Sequence, residues 1–156
     1  MIFVTVGTQL PFDRMISMID DLAAELSLDV FAQTADPAAQ YTNIQHAPFL
    51  TPDEYEDILA RTDVLVGHAG IGTILTAKKV EKPVIVMPRM ASLGEHRNEH
   101  QKATAHHLAG HEGVYVAQTR DELRALLTAP HLTSARFTDT PEKLRLQTFL
   151  RGTVYG

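Results

Sequence analysis

Asp63-Val64-Leu65-Val66-Gly67-His68-Ala69-Gly70-Ile71-Gly72-Thr73 is the stretch whose reading decides the fold. A short apolar run rich in valine stops at a glycine, passes through a glycine-rich turn, and enters a helical pattern that lasts until just before Lys82-Pro83. A continuous apolar run of this length suits a strand buried on both faces, as in a parallel sheet. The helix that follows then lies on one face of that sheet.

The same unit recurs on both sides of it. Upstream, Ile2 to Val6 is a β-branched run ending at Gly7. Behind it Phe12, Met15, Ile16, Ile19, Leu22, Ala23 and Leu26 fall on one helical stripe at spacings of three and four. Leu28–Ala32 and Asn43–Phe49 read as the second and third strands. Thr51-Pro52-Asp53-Glu54 marks a helix start, with a capping Thr, a Pro at the first helical position and the Thr51/Glu54 capping-box pair. That helix is expected to run to about Arg61. Downstream, Pro83–Pro88 reads as a fifth strand, Arg97–Ala109 as a helix, Gly113–Ala117 as a sixth strand and Arg120–Leu127 as a helix. Alternation of this kind predicts an α/β domain, Rossmann-like, with helices on both faces of a parallel sheet. The reading divides the chain into a domain over residues 1–130 and an extension over 131–156 that ends in an isolated helix, Glu142–Leu150.

Composition narrows the function classes. At 156 residues, 44% hydrophobic and 21% charged, the chain is long enough for one ordinary core. With no cysteine it has no disulfide, thiolate metal site or cysteine nucleophile. A net charge of −5 gives no support to nucleic-acid binding. The N-terminus lacks a basic signal-peptide region, and no apolar run nears the roughly 18 residues of a spanning helix. A soluble cytoplasmic protein is expected, touching the inner face of a membrane only through a partner.

Three loops at carboxyl ends of strands carry the candidate chemistry, since that is where open α/β sheets bind ligands. In the first, Gly7 permits close backbone approach while Thr8 and Gln9 offer hydrogen bonds. The second, Gly67 to Thr73, leaves backbone N–H groups uncovered at a positive helix end, which favours a phosphate. It is no P-loop, because Thr73-Ile74 stands where Lys-Ser/Thr is required, and its G-x-x-G-x-G order is not the dinucleotide fingerprint. His68, beside three glycines, is read as facing an anion. The third loop, Arg89 to Gln101, concentrates arginines, histidines, Asn98 and Gln101. Within it His96-Arg97-Asn98-Glu99-His100 also matches the inverted zincin pattern H-x-x-E-H, with Glu112 or Glu122 as candidate third ligands. Arg89 and Arg97 suit a carboxylated sugar and equally a diphosphate.

Four stretches in this order resemble the C-terminal domain of family-28 glycosyltransferases. They are Met1–Gln9, His68–Thr73, Lys82-Pro83 with the strand after it, and Glu95–Gln101. The likeness extends in particular to small bacterial exopolysaccharide subunits related to the catalytic subunit of the dolichol-linked UDP-GlcNAc transferase. Such a domain is one half of a GT-B enzyme, and the resemblance implies an inverting, metal-independent donor subunit with no cofactor beyond its UDP-sugar substrate. It implies that Gly7, Thr8, Gln9, His68, Gly70, Gly72 and Thr73 surround the diphosphate. Arg97 would add positive charge there, and Asn98, His100 and Gln101 would lie near the sugar or ribose. Where many relatives hold the ribose with a Glu, this chain has Thr76. His68 is the catalytic candidate, while His68, His96 and His100 all remain chemically able to act as the base. The implied partners are a membrane-associated acceptor subunit and a lipid-linked saccharide, with homo-oligomerisation open. A non-catalytic stimulatory subunit and a zinc hydrolase are the competing readings. Residues 141–156 are expected to contribute a partner interface.

Overall fold

The computed structural model describes residues 1–7, 10–90 and 111–137. The expected helices at 97–109 and 142–150 lie outside these residues, as does the expected interface at 141–156. Among the described residues six strands form one sheet: β1 (Ile2–Thr5), β2 (Val30–Gln33), β3 (Gln45–Ala47), β4 (Val64–His68), β5 (Val84–Met87) and β6 (Val114–Val116). Four helices accompany them: α1 (Asp13–Leu26), α2 (Pro52–Ala60), α3 (Ile71–Val80) and α4 (Arg120–Leu127). The strand order is β3-β2-β1-β4-β5-β6, and every pairing is parallel.

Strand alternation divides the core into two layers. Val4, Val66, Ile85 and Met87 face the stripe of α1 made by Met15, Ile16, Ile19 and Leu22, together with Leu123 of α4. Phe3, Leu65, Val84 and Val86 face the other way, onto Ile58 and Leu59 of α2 and Ile74 and Ala77 of α3. Both faces are therefore covered, which is why the strands read as continuous apolar runs. Glu25 of α1 receives Arg120 and Arg124 of α4 at 2.9 Å each, joining the two helices of one layer at the surface.

The bounds of β2 and β3 depart from the sequence reading for local reasons. Leu28 is apolar, but its N–H closes α1 by bonding the Ala23 carbonyl beyond the left-handed cap residue Ser27 (φ 54°). β2 therefore begins two residues later, at Val30. At its other end β2 gains Gln33, whose side-chain amide bonds to Thr5 Oγ1 (2.8 Å) and to the Pro48 carbonyl (2.8 Å). β3 shrinks to Gln45–Ala47, with Phe49 left 52% exposed. Residues 131–137, assigned to the extension, are irregular but packed on the domain. Ala135 is fully buried in the α2/α3 layer, and its N–H bonds the Lys82 carbonyl at 3.1 Å.

Candidate functional site

The sheet order reverses between β1 and β4. β1 leads outward to β2 and β3, and β4 leads the other way to β5 and β6. Loops leaving the carboxyl ends of two such strands diverge and open a crevice between them. Thr5 pairs with Gly67 in the register, so Gly7 and the His68–Gly72 loop begin side by side at this point.

Gly7 has φ +79°, a conformation that disfavours any side chain. Its N–H lies 3.4 Å from Thr5 Oγ1, whose hydroxyl donates in turn to Gln33. Thr8 and Gln9 lie outside the described residues. Across the crevice, Gly67 has no room for a side chain: a Cβ there would stand 2.6 Å from Thr73 Cγ2 and 3.1 Å from the Thr5 carbonyl oxygen. The amino end of α3 is thereby drawn close against the sheet.

His68 is the last residue of β4, paired with Met87. Its imidazole lies on the bare Cα of Gly70, where an added Cβ would collide with the ring. Gly70 is also the N-cap of α3, and its N–H returns to the His68 carbonyl at 2.7 Å. No side chain caps α3, and no acid stands in its first turn. Ring, glycine and helix end therefore form one surface, with the positive end of α3 behind the imidazole. Gly72 follows within the first turn. Thr73 turns its buried side chain toward Gly67, so its backbone N–H is the part directed along the helix end. The Thr76 hydroxyl donates to the Gly72 carbonyl at 2.9 Å and sits beside Tyr55, whose phenol burial holds above its ordinary pKa.

Arg97, Asn98, His100 and Gln101 lie outside the described residues, as do His96 and Glu99 of the zincin pattern. Among the described residues no group of three or more His, Asp or Glu could hold a metal ion. Glu122, one candidate third ligand, is committed to the start of α4, where its carboxylate accepts from the Gln118 N–H at 3.1 Å.

Arg89 corrects a sequence reading outright. It is 2% exposed, and its guanidinium donates to the carbonyls of Val6 (2.7 Å), Leu10 (2.6 Å) and Pro11 (2.9 Å). It lies beneath the first loop as a support and does not project from the third loop as a surface charge. A cavity of about 350 Å³ opens elsewhere, against Ile2, Val64 and Pro83 at the amino-terminal edge of the sheet. Its polar lining residues, Asp63, Lys82, His131 and Ser134, are exposed or half-buried, and it is remote from the crevice.

The model of the glycosyltransferase family 28 C-terminal domain matches residues 1–143. The chain belongs to this family. Its fold is the Rossmann-like half of a GT-B glycosyltransferase, and solved structures share it. The NMR structure of ALG13 superposes with a TM-score of 0.61 at 18% identity, covering 99% of this chain and 96% of that one. The kitacinnamycin glycotransferase gives 0.60 at 18% identity, and MurG from Acinetobacter baumannii gives 0.58 at 21%. This chain spans 38% and 40% of the length of those two proteins. No curated protein matches it in sequence. In this family-28 domain, the loops singled out by their glycines are those at the switch point. The side chains that bond around the first of these loops and its neighbours, Gln33, Arg14 and Arg89, escaped the sequence reading in that role. A polar residue closing an otherwise apolar strand was the available signal for Gln33.

Proposed function

We propose that this family-28 domain is the donor-binding and catalytic subunit of an inverting, metal-independent glycosyltransferase. It takes the sugar of a UDP-sugar and delivers it to a lipid-linked saccharide held by a membrane-associated partner. The observation that carries this reading is the uncapped, acid-free amino end of α3, facing the switch-point crevice behind His68 and Gly70. A diphosphate suits that place, because helix N–H groups and the aligned peptide dipoles favour an anion there.

In the reaction, an acceptor hydroxyl forms a bond to the anomeric carbon as the bond from that carbon to the β-phosphate oxygen breaks. The electron pair leaves with UDP, and a base takes the hydroxyl proton. Charge grows on the diphosphate, where fixed dipoles stabilise it without needing to reorganise. His68 adds a hydrogen bond or positive charge at the same oxygen. The partner supplies the acceptor site. The fold that this chain shares with ALG13 is compatible with that division of labour. Membrane contact is assigned in this proposal to the partner; no helix among the described residues of this chain is long and apolar enough to cross a membrane. Family membership also sets the H-x-x-E-H pattern within a transferase domain, which favours donor contacts from His100 over zinc hydrolysis.

Calorimetric titration with UDP, UDP-GlcNAc, UDP-Gal, UDP-Glc and UDP-glucuronate tests the site directly. Binding is expected in the presence of a chelator. No heat at millimolar ligand, or heat only with a divalent ion, would overturn the site assignment.

A further inference from the structure

The first loop is held from below by a residue that sits far away in the sequence. Arg89 follows the end of β5, and β4 lies between β5 and β1 in the sheet. Its guanidinium thus spans the width of β4 to reach Val6, Leu10 and Pro11, partners 78 to 83 positions away. It also stacks on Phe12, which is fully buried, with 5.0 Å between guanidinium carbon and ring centroid. Arg14 makes the reciprocal connection. Standing on α1 just past the same loop, it lies 5.3 Å from the Phe12 centroid and donates to the Pro88 carbonyl at 3.1 Å. Val6, Leu10, Pro11 and Arg14 are therefore clasped to Pro88 and Arg89 in both directions around one aromatic ring.

We propose that Arg89 is the positioning residue of the donor site: it draws the carbonyl oxygens of Val6, Leu10 and Pro11 away from the crevice so that the β1–α1 loop can receive a diphosphate. The inference rests on the functional reading above. In a trans peptide the carbonyl and the N–H point in opposite directions, so fixing the Val6 carbonyl fixes the Gly7 N–H as well. Carbonyl oxygens turned toward a diphosphate would repel it, and three of them occur within six residues of this loop. The planar fork of arginine satisfies several carbonyls at once, which an ammonium on a flexible stem does less well. Because Arg89 also begins the segment leading to Asn98, His100 and Gln101, the same clasp ties the first candidate loop to the root of the third.

The test compares Arg89→Met and Arg89→Lys with a core control, Leu123→Ala, whose side chain is fully buried in α4 on the same layer. For each, UDP affinity and Tm are measured on the full chain. Arg89→Met is expected to weaken UDP binding by about tenfold or more, with Arg89→Lys intermediate. Leu123→Ala should lower Tm while leaving affinity near the wild-type value. Affinity losses that merely track Tm across the three variants would overturn the proposal. Should Arg89→Met fail to fold, the wild-type chain decides: saturating UDP should shift the Arg89 side-chain resonances together with the amides of the β1–α1 loop. No shift at Arg89 overturns it. A wild-type chain that binds no UDP is a separate outcome, and it removes the functional reading along with this inference.

Discussion

α2 and α3 pack on the same face of the sheet, and each follows a parallel strand, yet their amino ends are built differently. At α2 the Thr51 hydroxyl accepts from the Glu54 N–H (3.2 Å), and the Glu54 carboxylate accepts from the Thr51 N–H (3.1 Å). Asp53 and Glu54 add negative charge to the positive end. At α4 the Thr119 hydroxyl likewise accepts from the Glu122 N–H (3.1 Å), while the Glu122 carboxylate accepts from the N–H of Gln118, one residue before the cap (3.1 Å). α3 has neither device, only Gly70 with an imidazole lying on it. α1 also lacks a side-chain cap, but Asp13 stands in its first turn, held by Tyr41 (2.6 Å) and Ser17 (3.2 Å). Among the described helices, the two that flank the crevice are thus the uncapped ones, and α3 is the one without an acid in its first turn. Where no ligand is needed, the chain seals a helix end with its own side chains. At the switch point α3 carries no such seal, and that is where the proposed diphosphate would lie.

The largest expected effect concerns His68. With the acceptor partner present, His68→Ala should lower turnover on the order of 10²–10³ while partner affinity is unchanged, as for loss of one donor to a developing negative charge. Unchanged turnover would remove His68 from the mechanism and leave α3 as a binding element only.

A smaller effect should follow from making α3 resemble α2. Ile71→Glu places a carboxylate in the first turn, where it repels a diphosphate and pairs favourably with the helix dipole. UDP affinity is expected to fall by about tenfold while Tm holds or rises slightly, since the dipole term contributes roughly 0.3–1 kcal/mol. A parallel loss of both would mean that the end of α3 serves folding alone.

The smallest functional effect is predicted at the sealed end. Thr51→Ala should cost about 1 kcal/mol of stability without changing UDP affinity. Its partner Glu54 has a carboxyl held below the ordinary glutamate range, first by the backbone N–H of Thr51 and then by its side chain. The sign is that of a depressed acid, so its contribution is present above the unfolded-state value and disappears as pH falls through the folded one. The Tm gap between wild type and Glu54→Gln should therefore close below about pH 4.3. A gap that persists in acid would show that the carboxylate charge plays no part in the cap.

Some of this was legible in the sequence because it depends on neighbours along the chain. A β-branched run ending in glycine, a stripe at spacings of three and four, and Thr-Pro-Asp-Glu before a helix all report local geometry, and β1, α1, α2 and β4 follow from them. The glycines at positions 67, 70 and 72 likewise marked the turn into α3. Tertiary structure alone decided that β1 stands beside β4, bringing Gly7 and the His68 loop together from 61 residues apart. It also decided the fate of Arg89. In sequence a charged residue that opens a polar loop looks like a ligand contact. In the fold its partners are backbone carbonyls 78 to 83 positions away, and carbonyls are present at every residue, so nothing in their own side chains could mark them. Periodicity can show which face of an element is buried, but a polar group's bonding partner depends on which strands become neighbours.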